Sequence, residues 1–320
     1  MSVPVLLIIF NRPAHTLRAI AAIREARPET LLVAADGPRS AAEAELCART
    51  RAVIGEVDWP CTVLTNFSDE NLGCGVRVHT GIDWALSQFE ELIILEDDCI
   101  PELSFFRFCE ELLEHYRNDQ RVMHISGNNF QPAEFSSSYS YYFSKYTHAW
   151  GWATWRRAWK HFDRGLRGWP EFKKCGLIEN WCDDPYERRY WKEIFDRMYS
   201  GANEWDYQWN CTCWAQNGLA ILPTVNLVSN AGHGPDATHT KDKSPYLDRP
   251  TFKMGTINHP PYVIRDHWAD AYTFANNYGG NVIKQADSRS ARLRRRLRPF
   301  SLPWRAVKKL WRMTSKMARS

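Results

Sequence analysis

Residues 92–98 read Leu92-Ile93-Ile94-Leu95-Glu96-Asp97-Asp98. The apolar run is typical of a buried strand, and three acids follow it directly. Adjacent carboxylates repel one another, so stability alone gives little reason to place three of them here. Mg²⁺ or Mn²⁺ would remove the repulsion, because these ions bind one or two protein carboxylates together with phosphate oxygens. A solvated acidic turn before a helix is the alternative, since acids also favour helix N-termini.

The chain before this stretch alternates between strand and helix patterns. Apolar runs predict further strands at Val3–Phe10, Leu31–Ala35 and Cys61–Asn66. Helical spacing of apolar residues predicts helices at His15–Ala26, Ala41–Ile54 and Gly75–Gln88. This alternation predicts an α/β fold whose central sheet is mainly parallel and flanked by helices.

Ligands of such sheets bind at the carboxyl ends of the strands. We therefore expect Asn11-Arg12, Asp36 and the Glu96-Asp97-Asp98 triplet along one edge of the sheet. No Gly-x-Gly-x-x-Gly run follows the first strand and no Walker A loop is present, which disfavours dinucleotide-binding and P-loop enzymes. The odd number of cysteines, nine, without zinc spacing, favours reduced thiols in a cytoplasmic protein.

Charge divides the chain into two parts. From residue 284 to 320 there are thirteen Lys and Arg against one acid, a net charge of +12. The whole chain carries +4, so residues 1–283 carry −8. We therefore predict one domain over residues 1–283 and a basic segment over 284–320.

Several short motifs occur in an order that resembles the N-acetylglucosaminyltransferase I family, and more closely a group of bacterial polysaccharide-locus glycosyltransferases. The motifs are Val5–Arg12, Val33–Asp36, Trp84–Leu86, Leu92–Asp98, Phe105-Phe106, His124–Asn129, Ala149–Trp155, Glu204–Trp209 and Asn230–His239. The resemblance implies the GT-A fold of nucleotide-diphospho-sugar transferases. It also implies Mn²⁺ or Mg²⁺ as cofactor, a nucleotide-sugar donor (UDP-sugar favoured) and inversion at the sugar.

The resemblance also implies roles for residues at the sheet edge. Arg12 and Asp36, with Asn11 beside them, would contact the nucleotide base. Glu96 and Asp97 would face the donor sugar and ribose, and Asp98 would ligate the metal. His239 would reach the metal or the diphosphate, although His233 competes for that role. Arg77 and His79, in the helix before the acidic strand, could offset phosphate charge, but the family's own basic residue is not at a matching position.

The catalytic base implied by the resemblance lies in a Trp-Asp motif, which is matched here by Trp205-Asp206. Tyr207 follows where the family has a second Asp, so Glu204 and Asp206 both remain candidates. A purely structural role for Asp206, capping the next helix, is the alternative. Three tryptophans, Trp150, Trp152 and Trp155, would form a wall of the acceptor or donor-sugar pocket, and core packing is the alternative for each.

The basic segment carries its own prediction. From Pro303 onward, Trp304, Val307, Leu310, Trp311 and Met317 fall on one helical face and basic residues mostly on the other. This pattern is typical of a helix lying on anionic lipid. Nucleic-acid binding and a disordered tail are the alternatives.

We expect a metal-dependent glycosyltransferase that acts on a glycan or lipid-linked acceptor in bacterial surface polysaccharide synthesis. It would be cytoplasmic and peripheral to the inner face of the membrane, with no nucleic-acid partner. A nucleotidyltransferase that makes nucleotide sugars is one alternative, but it would want a Gly-rich basic loop after the first strand. A non-catalytic carbohydrate-binding protein is the other.

Overall fold

The structure is a computed structural model that describes residues 1–232, 247–288 and 292. The strands are β1 Val5–Ile9, β2 Thr30–Ala35, β3 Thr62–Phe67, β4 Glu91–Glu96, β5 Cys99–Pro101, β6 Val122–Ser126, β7 Tyr141–Ser144, β8 Trp152–Trp155, β9 Leu219–Pro223 and β10 Val228–Asn230. The helices are α1 Pro13–Ala26, α2 Ala41–Ala52, α3 Cys74–Gln88, α4 Ser104–His115, α5 Arg156–Trp159, α6 Trp169–Lys174, α7 Pro185–Tyr199, α8 Asp206–Ala215, α9 His267–Asn276 and α10 Gly280–Ala286.

The predicted α/β fold is confirmed. Every strand and helix predicted from the first 98 residues is present, as β1 to β4 and α1 to α3. A short 3-10 turn, Val53–Glu56, extends the second helix to roughly the predicted end. Apolar runs identify these strands well because β1, β2 and β4 are buried on both faces.

The central sheet is mainly parallel, as predicted, with four of its seven strand pairings in the described residues parallel, but it is mixed rather than purely parallel. Its strand order is β3-β2-β1-β4-β8-β6-β9-β7. The first four neighbours are parallel, but β8 runs antiparallel to β4 and to β6, and β7 runs antiparallel to β9. Strand β8 begins at the edge of the sheet where β4 ends, so it runs back along β4 in the opposite direction.

Alternating residues of the parallel strands pack into two separate cores. On one face Leu7 and Leu95 contact a cluster that includes Ile20 of α1 and Phe105 of α4. On the other face Leu6, Ile94 and their neighbours pack against α3 and α8. The sheet is therefore covered by helices on both sides, which leaves its strand ends as the place where polar groups can gather.

A second, two-stranded sheet forms beyond the carboxyl end of β4. Strand β5 follows the acidic triplet, and β10 pairs with it antiparallel, with Asn230 opposite Cys99. This pairing brings the segment Asn230–Gly232 next to Asp98, although the two are far apart in the sequence.

Helix α10 crosses the predicted domain boundary at residue 283. Ile283 is buried, and Lys284 forms an ion pair with Asp184 at the start of α7. Residues 284–288 therefore pack against the body, and the division of the chain into a domain and a basic segment remains a prediction.

Some predictions fall on residues that are not described. His233 and His239 are among these, as are residues 289–320 apart from Arg292. In the described ranges, every helix is too short or too polar to cross a bilayer.

Gly127 tests the packing that holds β10 beside the sheet. Gly127→Ala should lower the free energy of unfolding by about 1–3 kcal/mol, because a Cβ there would lie 2.4 Å from Val228 Cγ2. Urea denaturation followed by circular dichroism measures the change. Gly255→Ala is the control, since its Cβ would meet nothing within 4 Å. Equal stability of Gly127→Ala and the parent protein would contradict this close approach.

Candidate active site

The carboxyl ends of β1, β2 and β4 meet in a cleft of about 410 Å³. Its walls carry most of the polar residues that the sequence predicted for this edge. They are Asn11, Arg12, Asp36, Arg77, Glu96 and Asp97. The structure thus brings together side chains from three strand ends and from α3, as the parallel arrangement requires.

The acidic triplet is a centre of excess negative charge. Burial raises the pKa of Glu96 to about 8, with further contributions from the charges of Asp98, Asp97 and Asp206. Burial likewise raises the pKa of Asp97 to about 7, against the opposing effect of Arg12. These carboxyls hold protons more tightly than isolated acids do, because ionising them together in a buried position is unfavourable. A nearby cation would favour their ionised forms.

Arg12 supplies a positive charge at this point. Its guanidinium pairs with Asp97, and Nη2 also donates to Asp98 Oδ2 at 3.0 Å. Burial lowers the pKa of Arg12, but the charges of Asp97 and Asp98 outweigh this effect and raise it above the ordinary value. Arg12 is the last residue between β1 and α1, because Pro13 begins the helix. Its side chain is directed at the acids. Arg12 therefore contacts two members of the triplet, Asp97 and Asp98.

Asp98 is surrounded by the segment that follows β10. Asn230 Nδ2 donates to Asp98 Oδ1 at 3.1 Å, and the Ala231 amide donates to the Asp98 carbonyl at 2.9 Å. A Cβ at Gly232 would lie 2.0 Å from Asp98 Oδ2, so only a glycine fits here without a shift of the carboxylate. The predicted histidines follow this segment, at positions that the structure does not describe.

Asp36 holds a loop. Its Oδ1 accepts hydrogen bonds from the amides of Gly37 and Leu72 at 2.9 and 2.8 Å. Its Oδ2 accepts from the Gly73 amide at 3.0 Å and from Asn71 Nδ2 at 3.1 Å. A carboxylate has about four acceptor positions, so these donors use all of them. The loop they fix leads straight into the N-terminus of α3 at the cleft.

Arg77 and Asn11 have protein partners as well. Arg77 Nη2 donates to the carbonyl and the side-chain oxygen of Asn66 at 2.6 and 2.7 Å, while its buried Nε has no protein acceptor among the described residues. Asn11 Nδ2 donates to Glu43 at 3.1 Å. Both residues line the cleft, and Arg77 adds positive potential to it.

A second cleft of about 400 Å³ lies on the other side of the triplet. It is lined by Asp98, Trp150, Glu204 and Asp206. Asp206 is the first residue of α8, and no side-chain capping bond is formed at the preceding Trp205. Glu204 forms an ion pair with Arg197 at 3.2 Å. Both candidate bases therefore face the same space.

Of the three tryptophans predicted to line a pocket, one lies in a cleft and the other two are buried in the core, which corrects the prediction for those two. Trp150 lines the second cleft, but Trp152 and Trp155 are about 1% and 2% exposed and belong to the core. Trp152 stacks on Trp205 with ring centroids 5.6 Å apart, and Trp155 donates to the Leu113 carbonyl at 3.1 Å. The cause is that both faces of β8 are covered: Trp155 packs into the core on one face of the sheet and Trp152 into the core on the other.

The two clefts are joined. Arg12, Cys74, Glu96 and Glu204 line both of them. Burial, together with the charges of Glu96 and Asp206, raises the pKa of Cys74, so its thiol stays protonated and inert at the junction. The acidic triplet therefore stands where a ligand in one cleft would meet a ligand in the other.

These residues fit a hard divalent cation. Among the described residues, no group of three or more His, Cys, Asp or Glu side chains is placed to hold a metal ion. Mg²⁺ and Mn²⁺ sites need only one or two carboxylates when substrate phosphates supply further oxygens. Asp98, with its carboxylate in the cleft and Gly232 closely packed against it, is suited to that role. A bound cation and the Arg12 guanidinium would compete for the same oxygens.

Sequence analysis missed several residues of the site. Arg197, Asn71 and Asn203 are examples, and the last two lie far in sequence from the residues they contact. Asn203 packs so closely on Gly73 and Gly75 that a Cβ at either glycine would fall within 2.7 Å of it. The clustering of Asn71, Gly73 and Gly75 before a helix is a turn signal that could have drawn attention to this loop.

Comparison with known proteins gives limited information. No protein-family model and no curated protein matches the sequence. Among solved structures, residues 1–349 of S. aureus TarS align at 11% identity over 49% of this chain and 47% of that chain, with a TM-score of 0.35. The galactosyltransferase LgtC, solved with donor and acceptor sugar analogues, aligns at 9% identity over 65% of this chain and 70% of that chain, also at 0.35. The alignment thus spans about half of the TarS fragment, and scores this low carry no argument about function.

Competition between Arg12 and a cation can be measured without activity. In Arg12→Gln the carboxylates lose their guanidinium partner, so added Mn²⁺ should raise Tm more than it does in the parent protein. Differential scanning fluorimetry with and without MnCl₂ gives both shifts. Arg39→Gln is the matched control, because Arg39 lines the same cleft but pairs with Glu43. An equal Mn²⁺ effect in the parent and Arg12→Gln would contradict the competition.

Proposed function

We propose that this protein is a divalent-cation-dependent glycosyltransferase of the GT-A type. It would transfer a sugar from a nucleotide-sugar donor to a glycan or lipid-linked acceptor. The observation that supports this function best is the pair of joined clefts that share Arg12, Glu96 and Glu204. A transfer reaction needs two substrates that meet at one point, and both volumes are in the usual range for ligand sites.

The first cleft suits the donor nucleotide. Asn11, Asn71 and Arg39 provide polar groups at its rim, and Arg77 provides buried positive charge. Helix α3 begins at this cleft, and Gly73 before it makes no side-chain cap. The partial positive charge of this helix N-terminus would favour a diphosphate in the cleft. UDP is the favoured nucleotide on the basis of the family resemblance.

The second cleft suits the acceptor. Trp150 presents an aromatic side chain of the kind on which sugar rings stack. Asp206 and Glu204 lie in the same cleft and provide carboxylates for the incoming hydroxyl. A nucleotidyltransferase would need a phosphate-binding loop after β1. Here that connection is three residues long, and its Arg12 is paired with the triplet.

The cation would be held by Asp98 and by the oxygens of the donor diphosphate, and when bound it would stabilise the charge of the departing nucleotide. Arg12 would then be free of Asp98 and able to turn toward the donor. Asn230 would keep the Asp98 carboxylate oriented through its hydrogen bond to Oδ1.

Asp206 is our choice for the base that accepts the proton of the acceptor hydroxyl. It lines the acceptor cleft but not the donor cleft, whereas Glu204 lines both and pairs with Arg197. Asp206 is the first residue of α8, so its carboxylate stands at the N-terminal end of that helix. Direct attack by the activated hydroxyl on the sugar carbon gives inversion.

We further propose that the reaction belongs to the synthesis of a bacterial surface polysaccharide, at the cytoplasmic side of the membrane. The +12 charge of residues 284–320 supports contact with anionic lipid. The resemblance to polysaccharide-locus enzymes supports the pathway.

Asp98→Asn tests the cation site. Binding of a UDP-sugar should lose its Mn²⁺ dependence, because an amide is a much weaker ligand for a hard cation than a carboxylate. Isothermal titration calorimetry with and without Mn²⁺ measures this directly. Asp69→Asn, which changes an exposed acid near the donor cleft, is the control. Mn²⁺-dependent affinity that survives in Asp98→Asn would remove the central assignment.

Asp206→Asn tests the base. Donor affinity should be retained while kcat falls by about 10²–10⁴-fold, since that is the usual contribution of a general base. Glu204→Gln should change kcat less, because Glu204 is already paired with Arg197. The measurement is nucleotide release at saturating acceptor. A large loss in Glu204→Gln with a small one in Asp206→Asn would reverse the assignment.

A further inference from the structure

An exposed apolar surface lies far along the chain from the candidate site. Tyr262, Ile264 and Trp268 are 48%, 66% and 82% exposed, and within the described residues no large apolar side chain is more exposed than Trp268. Single exposed apolar residues are ordinary. Three exposed apolar side chains within seven residues, one of them a tryptophan, are of the kind that marks an interaction surface, and we refer to the three together as the patch.

The patch is held in place by the fold. The Asp266 amide donates to the Phe143 carbonyl at 2.8 Å, and Asp266 Oδ1 caps α9 by accepting from the Ala269 amide at 2.9 Å. Ala269 and Asp270 point into the body and are buried. Because the next two positions of the helix face inward, Trp268 is fixed on the outer face.

The chain leaves the described body on the same side. Asp183 Oδ2 lies 3.4 Å from His267 Nδ1, beside Trp268, while Asp184 pairs with Lys284 of α10. Asp183 and Asp184 are consecutive, so their Cα atoms are about 3.8 Å apart. The start of α9 and the end of α10 are therefore anchored at one point, from which the basic segment continues.

Residues 289–320 contain twelve Lys and Arg and no Asp or Glu. A partner that contacts both this segment and the three apolar side chains would be anionic and would also accept exposed tryptophan and isoleucine side chains. An anionic lipid bilayer offers both, because its headgroup layer attracts basic segments and tryptophan partitions to the same depth. A protein that inserts apolar side chains and is also attracted by charge binds a membrane more strongly than a protein that does only one of these.

We propose that Tyr262, Ile264 and Trp268 are a contact of the globular body with an anionic membrane surface. This inference rests on the proposed membrane association of the basic segment, and it adds an apolar contact from the body itself. With two points of contact the body is fixed relative to the bilayer, whereas a basic segment alone would act as a tether.

The test is co-sedimentation of the full chain with phosphatidylcholine vesicles that do or do not contain phosphatidylserine. Trp268→Ala should weaken binding to the anionic vesicles by about tenfold, the effect expected when one large side chain no longer enters the lipid. Tyr199→Ala is the matched control, because Tyr199 is 51% exposed at the far end of α7, ~21 Å from Asp184. It should bind like the parent.

A truncated chain that lacks residues 289–320 separates the possible failures. If truncation abolishes vesicle binding and Trp268→Ala leaves it unchanged, the basic segment binds the membrane and the patch does not. If the full chain binds neither vesicle, both the patch and the membrane proposal fall, while the sugar-transfer proposal is untouched. Concentration-dependent self-association that Trp268→Ala removes would assign the patch to a second copy of the chain and overturn the inference.

Discussion

The carboxylates of Glu96, Asp97 and Asp98 stand together at the end of a buried strand, where repulsion and burial raise the pKa of the first two. The repulsion in such a cluster is relieved by bound protons or by a cation beside it. Arg12 meets this need because β1 and β4 are parallel neighbours, which brings the residues after both strands to the same edge. The rest of the site is built around this charge balance: Asn230 and Gly232 close on Asp98, and two clefts open on either side of the triplet.

A balance of this kind links stability to function. Without a donor, the guanidinium stabilises the acids. With a donor diphosphate and a cation, the same acids would exchange one positive partner for another, and Arg12 would be released to the ligand. The site would thus be ready to bind a cation. In the absence of a cation, Arg12 would still compensate the carboxylates, and this matters because an unpaired buried charge is costly.

The fold of the first 98 residues could be predicted because β1, β2 and β4 are continuous apolar runs. The helices between them have apolar residues at helical spacing. The later strands give no comparable signal: β8 reads Trp-Ala-Thr-Trp, a pattern that fits a pocket wall as well as it fits a strand inside the sheet. Site positions at strand ends could be predicted from topology alone. Bonds such as those from Asp36 to the loop at residues 71–73 could not, since they depend on how separate segments meet in space.

The account depends most on the claim that Asp98 binds a cation together with the donor. Diffraction from crystals grown with UDP and MnCl₂, recorded at the manganese absorption edge, tests it directly. We predict an anomalous peak about 2.1 Å from an Asp98 carboxylate oxygen, next to the diphosphate, with the Arg12 guanidinium moved off Asp98. Bound UDP with no manganese peak within reach of Asp98, and with Arg12 still paired to it, would contradict the account.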